Sequence, residues 1–147
     1  MGTDDGMCFA CGTRNSRGLG LRFDFDGGEA AADVVFDEAF QGYEGIVHGG
    51  IVSTVLDEAM VTVLNEMGEL ALTAELVVRF VSPARVGEPL RVTGRLVAGR
   101  GKLRKLEALL ARPDGTEVAR ARSTYVRIGR LRTKPAQGAP DPAGRMP

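Results

Sequence analysis

The run Val47-His48-Gly49-Gly50-Ile51-Val52-Ser53-Thr54-Val55-Leu56-Asp57-Glu58 holds the groups best suited to chemistry. Two glycines lead into a stretch of helical apolar periodicity, so unpaired N–H groups of a helix's first turn lie open to a ligand oxygen and are reinforced by the helix dipole. Donors of that kind can hold an oxyanion. Asp57 follows about two turns later at the margin of the apolar face, where a carboxylate can serve as general base or as nucleophile toward an acyl carbonyl. Spacing alone equally describes a glycine-rich helix start with an ordinary boundary acid. Glu58 falls opposite the apolar centre and is expected in solvent. His48 is the only histidine in the chain, and a positioning role is expected of it rather than proton transfer.

Two further groups of residues bear on chemistry. Cys8 and Cys11 form a lone CxxC with no second pair, so a four-ligand zinc site lacks partners within one chain unless His48 or a second subunit supplies them. A disulfide between them would close a tiny loop and constrain little. No metal and no bound cofactor are expected, and the arm is expected to fold as a cover over the body of the domain. Arg79, Arg91, Arg95, Arg120 and Arg122 alternate with apolar residues and should project from the outer side of a sheet, either paired with acids such as Glu75 or holding phosphates. Arg127, Arg130 and Arg132 are further candidates at the strand end.

Charge is divided along the chain. Residues 1–75 carry three basic residues, Arg14, Arg17 and Arg22, against fourteen acids, whereas the rest carries sixteen basic residues against five acids. Sixteen of the nineteen basic residues are arginine, whose fork suits phosphate, so either the two halves attract each other or the second holds a phosphate-bearing ligand. Nucleic acid is not expected as a partner, since there is no lysine-rich tail and no nucleic-acid motif, and the chain has only two tyrosines and no tryptophan for base stacking.

The elements that must position these groups follow from periodicity. Leu21, Phe23 and Phe25 alternate with charged residues, Asp26-Gly27-Gly28 signals a turn, and Ala30 to Phe36 completes a hairpin. From Gly50 to Met67 apolar residues recur four apart in two adjacent rows, Ile51, Val55, Ala59, Val63, Met67 and Val52, Leu56, Met60, Leu64, which predicts a helix with a wide buried face ending near Gly68. Leu72, Ala74, Leu76, Val78 and Phe80 read as one face of a strand, and Leu90 to Leu96 as the next. Leu103–Ala111 and Glu117–Ile128 flank the turn Pro113-Asp114-Gly115. Ala119, Ala121 and Ser123 share a face of small side chains that lets a helix lie close. One helix with so broad an apolar face needs a sheet curved around it.

At 147 residues, with 44% hydrophobic and 26% charged residues, the chain is one ordinary folded domain. No apolar run reaches a membrane span, and Met1 to Asp5 is polar and acidic where a secretory leader is basic then apolar, so a cytoplasmic location and no membrane partner are expected. The organisation expected is an arm at 1–19, a folded body at 20–128 and a disordered tail at 129–147 rich in proline.

His48-Gly49-Gly50 followed by Asp57, preceded by Cys8-Phe9-Ala10-Cys11-Gly12, Asn15 and Gly18-Leu19, and followed by Arg79-Phe80-Val81-Ser82-Pro83-Ala84, resembles the hotdog-fold acyl-CoA thioesterases of the phenylacetate-degradation (PaaI-like) type. The resemblance implies an α+β hotdog fold, a curved antiparallel sheet wrapped around one long central helix. It implies a dimer or tetramer with active sites between subunits. By the same resemblance Asp57 directs water at the thioester carbonyl or attacks it, and the N–H of Gly49 or Gly50 polarises the carbonyl. Thr73, ten residues before Pro83, assists the water, and His48 positions the loop. Arg120, Arg122 and Arg127 are candidates for the coenzyme A phosphates. Several relatives carry Asn or Gln six residues before the histidine, where this chain has Gly42 with Gln41 adjacent; either Gln41 takes that role or the donor is missing. The expected function is acyl-CoA hydrolysis, with acyl-CoA binding without hydrolysis as the alternative.

Overall fold

The two apolar rows between Gly50 and Met67 become one helix, α1 (Gly49–Glu66), in the computed structural model, which describes residues 5–131. His48 caps its start, and Gly68 at φ +77° turns the chain away at its end, a left-handed backbone that suits glycine. The strands are β1 (Asp24–Asp26), β2 (Glu29–Val34), β3 (Glu69–Phe80), β4 (Leu90–Arg100), β5 (Leu103–Ala111) and β6 (Glu117–Arg130). They form one six-stranded antiparallel sheet in the order β1-β2-β4-β5-β6-β3 that curls around α1, the hotdog architecture expected.

The helix buries Val55, Leu56, Ala59, Met60, Val63 and Leu64 against the sheet. Small residues set how closely it sits. A Cβ on Gly94 of β4 would lie 2.5 Å from the Ala59 carbonyl oxygen, and Ala119, Ala121 and Ser123 of β6 form the small buried face that the sequence predicts. Tyr125 continues that face and is fully buried.

Three expectations are corrected. β3 does not present Leu72, Ala74, Leu76, Val78 and Phe80 on one face: at the register shift between Thr73 and Glu75 the extra residue Ala74 switches the alternation, so Ala71 and Thr73 face inward before it, Leu72 is left 56% exposed, and Leu76 and Val78 are partly buried after it. The Glu75 carbonyl beside the bulge accepts the Ser123 hydroxyl at 2.6 Å. Val118, which by alternation with Ala119, Ala121 and Ser123 falls on the outer face, is instead buried, because the chain after β3 folds over it with Val81 and Ser82 N–H groups on its carbonyl.

The third correction concerns Glu58, which is 8% exposed rather than solvated. The arm packs on the side of α1 away from the sheet, with Ala10 and Leu21 buried and Cys8 and Leu19 partly so. α1 is therefore covered on both sides. Between residues 5 and 23 the chain has neither helix nor strand, so β1 is shorter than the alternation of Leu21, Phe23 and Phe25 suggests. β6 runs to Arg130, beyond the expected boundary at 128, while Arg132 and the rest of the expected tail lie outside the described residues.

Candidate active site

The β3–β6 register pairs Thr73 directly with Tyr125, and both side chains turn toward α1. There they meet one carboxylate. Tyr125 Oη donates to Asp57 Oδ1 at 2.6 Å, and Thr73 Oγ1 lies 3.1 Å from Oδ1 and 3.4 Å from Oδ2. Burial first, then the hydrogen bond and charge of Asp57, push the Tyr125 phenol well above its usual range, so it stays a proton donor. Asp57 itself is half-buried and Thr73 is exposed, so the carboxylate is fixed on one oxygen and open to solvent at the β3 edge. This is a base or nucleophile with a defined orientation.

The start of α1 is built differently from the simple glycine entry that the sequence suggests. His48 Nδ1 accepts the Gly50 N–H at 2.9 Å, which places the ring proton on Nε2 and makes His48 the cap of the helix. Ile51 and Val52 N–H groups go to the His48 carbonyl. Of the two glycine donors, only the Gly49 N–H makes no hydrogen bond among the described residues. The Phe80 ring lies 3.5 Å from where a Gly49 Cβ would stand, walling this donor with the end of β3.

The loop before the helix is closed on itself. Gln41 Oε1 accepts from Gly45 N–H at 3.1 Å, Gly42 N–H donates to the Ile46 carbonyl, and Gly42 lies against His48. Gln41 and Gly42 thus border the helix start, with Gln41 holding the loop shape.

The arginines separate into two places. Arg120 and Arg122 lie on the sheet face away from α1, where Arg79, Arg95, Arg120, Arg122, Glu29, Glu107 and Glu117 surround a groove of about 950 Å³. Arg95 pairs with Glu107, Arg120 with Glu117 at 3.4 Å and Arg91 with Asp33 at 2.8 Å, while Arg79 and Arg122 have no ion pair among the described residues. Arg127 instead lies 3.9 Å from Glu69, which Arg104 grips with both of its faces at 2.7 and 2.8 Å. Asp57, Thr73 and the helix start are therefore near one side of the sheet, and Arg120 and Arg122 are on the other.

Tyr125 is the site residue that reading the sequence missed. Its signal was present: it stands two positions beyond Ser123 on the helix-facing side, and a buried tyrosine needs a partner for its hydroxyl.

Compared with known proteins, residues 44–119 match the family described as the thioesterase superfamily, a span that includes His48, Gly49, Gly50, Asp57 and Thr73 and leaves out Tyr125 and both cysteines. A comparison with curated proteins found no match. Among solved structures, the chain is similar to a thioesterase superfamily protein at 24% identity and TM-score 0.77, covering 82% of this chain and 60% of that one. It is similar to a hypothetical thioesterase from Streptococcus pneumoniae TIGR4 solved with coenzyme A, at 17% identity and TM-score 0.72, covering 76% and 88%. It is also similar to the E. coli PaaI protein from the phenylacetic acid degradation operon, at 22% identity and TM-score 0.72, covering 78% and 84%. The chain spans 60% of the length of the first of these. At these identities the likeness is one of fold.

Proposed function

The chain belongs to the thioesterase superfamily, and from that premise we propose that it hydrolyses acyl-coenzyme A thioesters with Asp57 as the group that activates water or attacks the carbonyl. The observation that carries this reading is the Asp57 carboxylate held by Tyr125 and Thr73 on one side and open on the other. Water delivered by Asp57, or Asp57 itself, adds to the acyl carbon. The carbonyl oxygen becomes an oxyanion that an N–H donor stabilises, and its collapse expels the coenzyme A thiolate.

That donor is the Gly49 N–H, and the spacing along α1 favours its coming from a second copy. Gly49 and Asp57 are eight residues apart on one helix, about 12 Å at the usual rise. An attacking carboxylate about 3.2 Å from a carbonyl carbon and a donor about 2.9 Å from its oxygen are at most roughly 7 Å apart, or roughly 10 Å with a water between carboxylate and carbon. Both spans are shorter than that rise. A two-fold-related second helix running antiparallel would close the gap, setting Gly49 of one copy against Asp57 of the other. β3 suits such a junction: it is a long edge strand whose Leu72, Val77 and Phe80 are exposed, with Val81 exposed just beyond its end. The arginine groove, with Arg79 and Arg122 unpaired among the described residues, is the surface that fits the nucleotide phosphates of coenzyme A.

The test is release of free thiol from a panel of acyl-CoAs by the wild-type chain and by Asp57→Asn. The variant is expected to fold and bind ligand but turn over about 10² times more slowly or worse; turnover equal to wild type overturns the role of Asp57. The same assay addresses a second reading, a protein that binds acyl-CoA without hydrolysing it. That reading is favoured by Gly42 standing where relatives carry Asn or Gln, with Gln41 Oε1 engaged by Gly45. Binding of acyl-CoA with no thiol released across the panel supports it.

A further inference from the structure

The arm that covers α1 brings two thiols onto the buried acid of that helix. Cys8 and Cys11 sit in a tight turn closed by the Gly12 N–H on the Cys8 carbonyl at 2.8 Å. A Cβ at Gly12 would lie 2.5 Å from the Cys8 backbone nitrogen and oxygen and from the Gly6 carbonyl oxygen, so the turn requires glycine. The Sγ atoms of Cys8 and Cys11 and a carboxylate oxygen of Glu58 all lie within 4.8 Å of one another. Both Glu58 oxygens are 4.0 Å from Cys8 Sγ.

Donors around a tetrahedral zinc, with Zn–S near 2.3 Å and Zn–O near 2.0 Å, are about 3.5–3.8 Å apart. The cluster needs to contract by about an ångström or less to reach that geometry. An arm without helix or strand supplies two of the three donors, so small rotations of the cysteine side chains suffice. Arg22 Nη1 donates to the Cys11 carbonyl at 3.1 Å and brings positive charge to the edge of a donor set that is negative once the thiols ionise.

We propose that Cys8, Cys11 and Glu58 bind one zinc-like divalent ion that fastens the arm to α1. Thiolate donors select such an ion over magnesium or calcium, and the fourth position falls to the second Glu58 oxygen or to water. The role is structural. Glu58 is the residue next to Asp57, so the ion would fix the rotation of the helix that carries the active-site acid. The ligand missing from a lone CxxC is thus not His48 or a second subunit but the acid expected in solvent.

The full chain, produced in zinc-supplemented medium and purified under a thiol reductant, is expected to carry about one zinc per chain by elemental analysis. Exchange for Co²⁺ should give a thiolate-to-cobalt charge-transfer band in the near ultraviolet. Cys8→Ser and Cys11→Ser should lose both signals, and Glu58→Gln, which keeps the shape of the side chain, should weaken Co²⁺ binding about ten-fold or more. On the unmodified chain, a strong chelator should lower Tm and Zn²⁺, but not Mg²⁺, should restore it, a readout that does not depend on any variant folding. Zinc-free chains whose two thiols react equally fast with and without Zn²⁺, or a Cys8–Cys11 disulfide under these reducing conditions, would overturn the proposal.

Discussion

At the scale of single residues, the account turns on what holds Asp57. Its Oδ1 receives the Tyr125 hydroxyl at 2.6 Å, and a hydrogen bond to an ionised acceptor contributes about 1.5–3 kcal/mol. That bond fixes the direction of the carboxylate. Tyr125→Phe is therefore expected to lower kcat about ten-fold with KM little changed. A kcat equal to that of wild type in a variant that keeps its fold would show that Tyr125 only packs. Asp57 and the glycines at the helix start were singled out by local type and spacing, which an ordinary boundary acid also fits, and Thr73 only by the resemblance. The burial of Tyr125 was legible, but its partner was not, since that depends on the register that pairs it with Thr73. Glu58 was misread because a helical wheel sees the sheet-facing stripe and knows nothing of an arm lying on the other side.

At the scale of elements, two contacts govern how the helix and strands meet. Gly94 lets α1 ride on β4, and the atom a side chain would strike is a backbone carbonyl that no rotamer change moves. Gly94→Ala is expected to cost about 1–3 kcal/mol, read as a lower urea midpoint at unchanged slope. Gly129→Ala in β6, with open space around it, is the near-neutral control, and equal midpoints for the two would contradict the close packing. The second contact ties the start of β3 to β5. The Arg104 guanidinium, hydrogen-bonded to Glu69, holds that carboxyl below its ordinary 4.5. The folded chain thus refuses a proton that the unfolded chain accepts, so the stabilisation is complete above about pH 4.5 and is lost as pH falls through the lower folded value. Glu69→Gln should flatten the fall of Tm with pH in that acid window, and parallel curves for variant and wild type would refute it. The helix and the four long strands were legible from their periods to within a few residues. The bulge in β3 was not, because nothing local in Thr73-Ala74-Glu75 announces that the alternation switches there.

At the scale of the whole molecule, the proposed chemistry asks for a second copy. Asp57 opens toward the edge strand β3, Leu72, Val77 and Phe80 of that strand are exposed, and Gly49 stands about 12 Å along the helix from Asp57. The sequence implied one helix inside a curved sheet, because no other arrangement buries so wide an apolar face, but not the strand order that leaves β3 at the edge. The central claim, that Gly49 of one copy and Asp57 of another serve one carbonyl, has a direct test. Gly49→Pro removes the N–H and adds a ring whose Cβ would meet Phe80 at an ordinary 3.5 Å: it stands at the first helical position, where proline is tolerated, and His48 before it already has the extended backbone (φ −57°, ψ 133°) that a following proline requires. Gly49→Pro and Asp57→Asn chains are each expected to be nearly inactive. Differently tagged and purified as a mixed dimer, they form one doubly defective site and one intact site, so thiol release should return to about half that of wild type. A mixed dimer no more active than either parent would contradict the shared site.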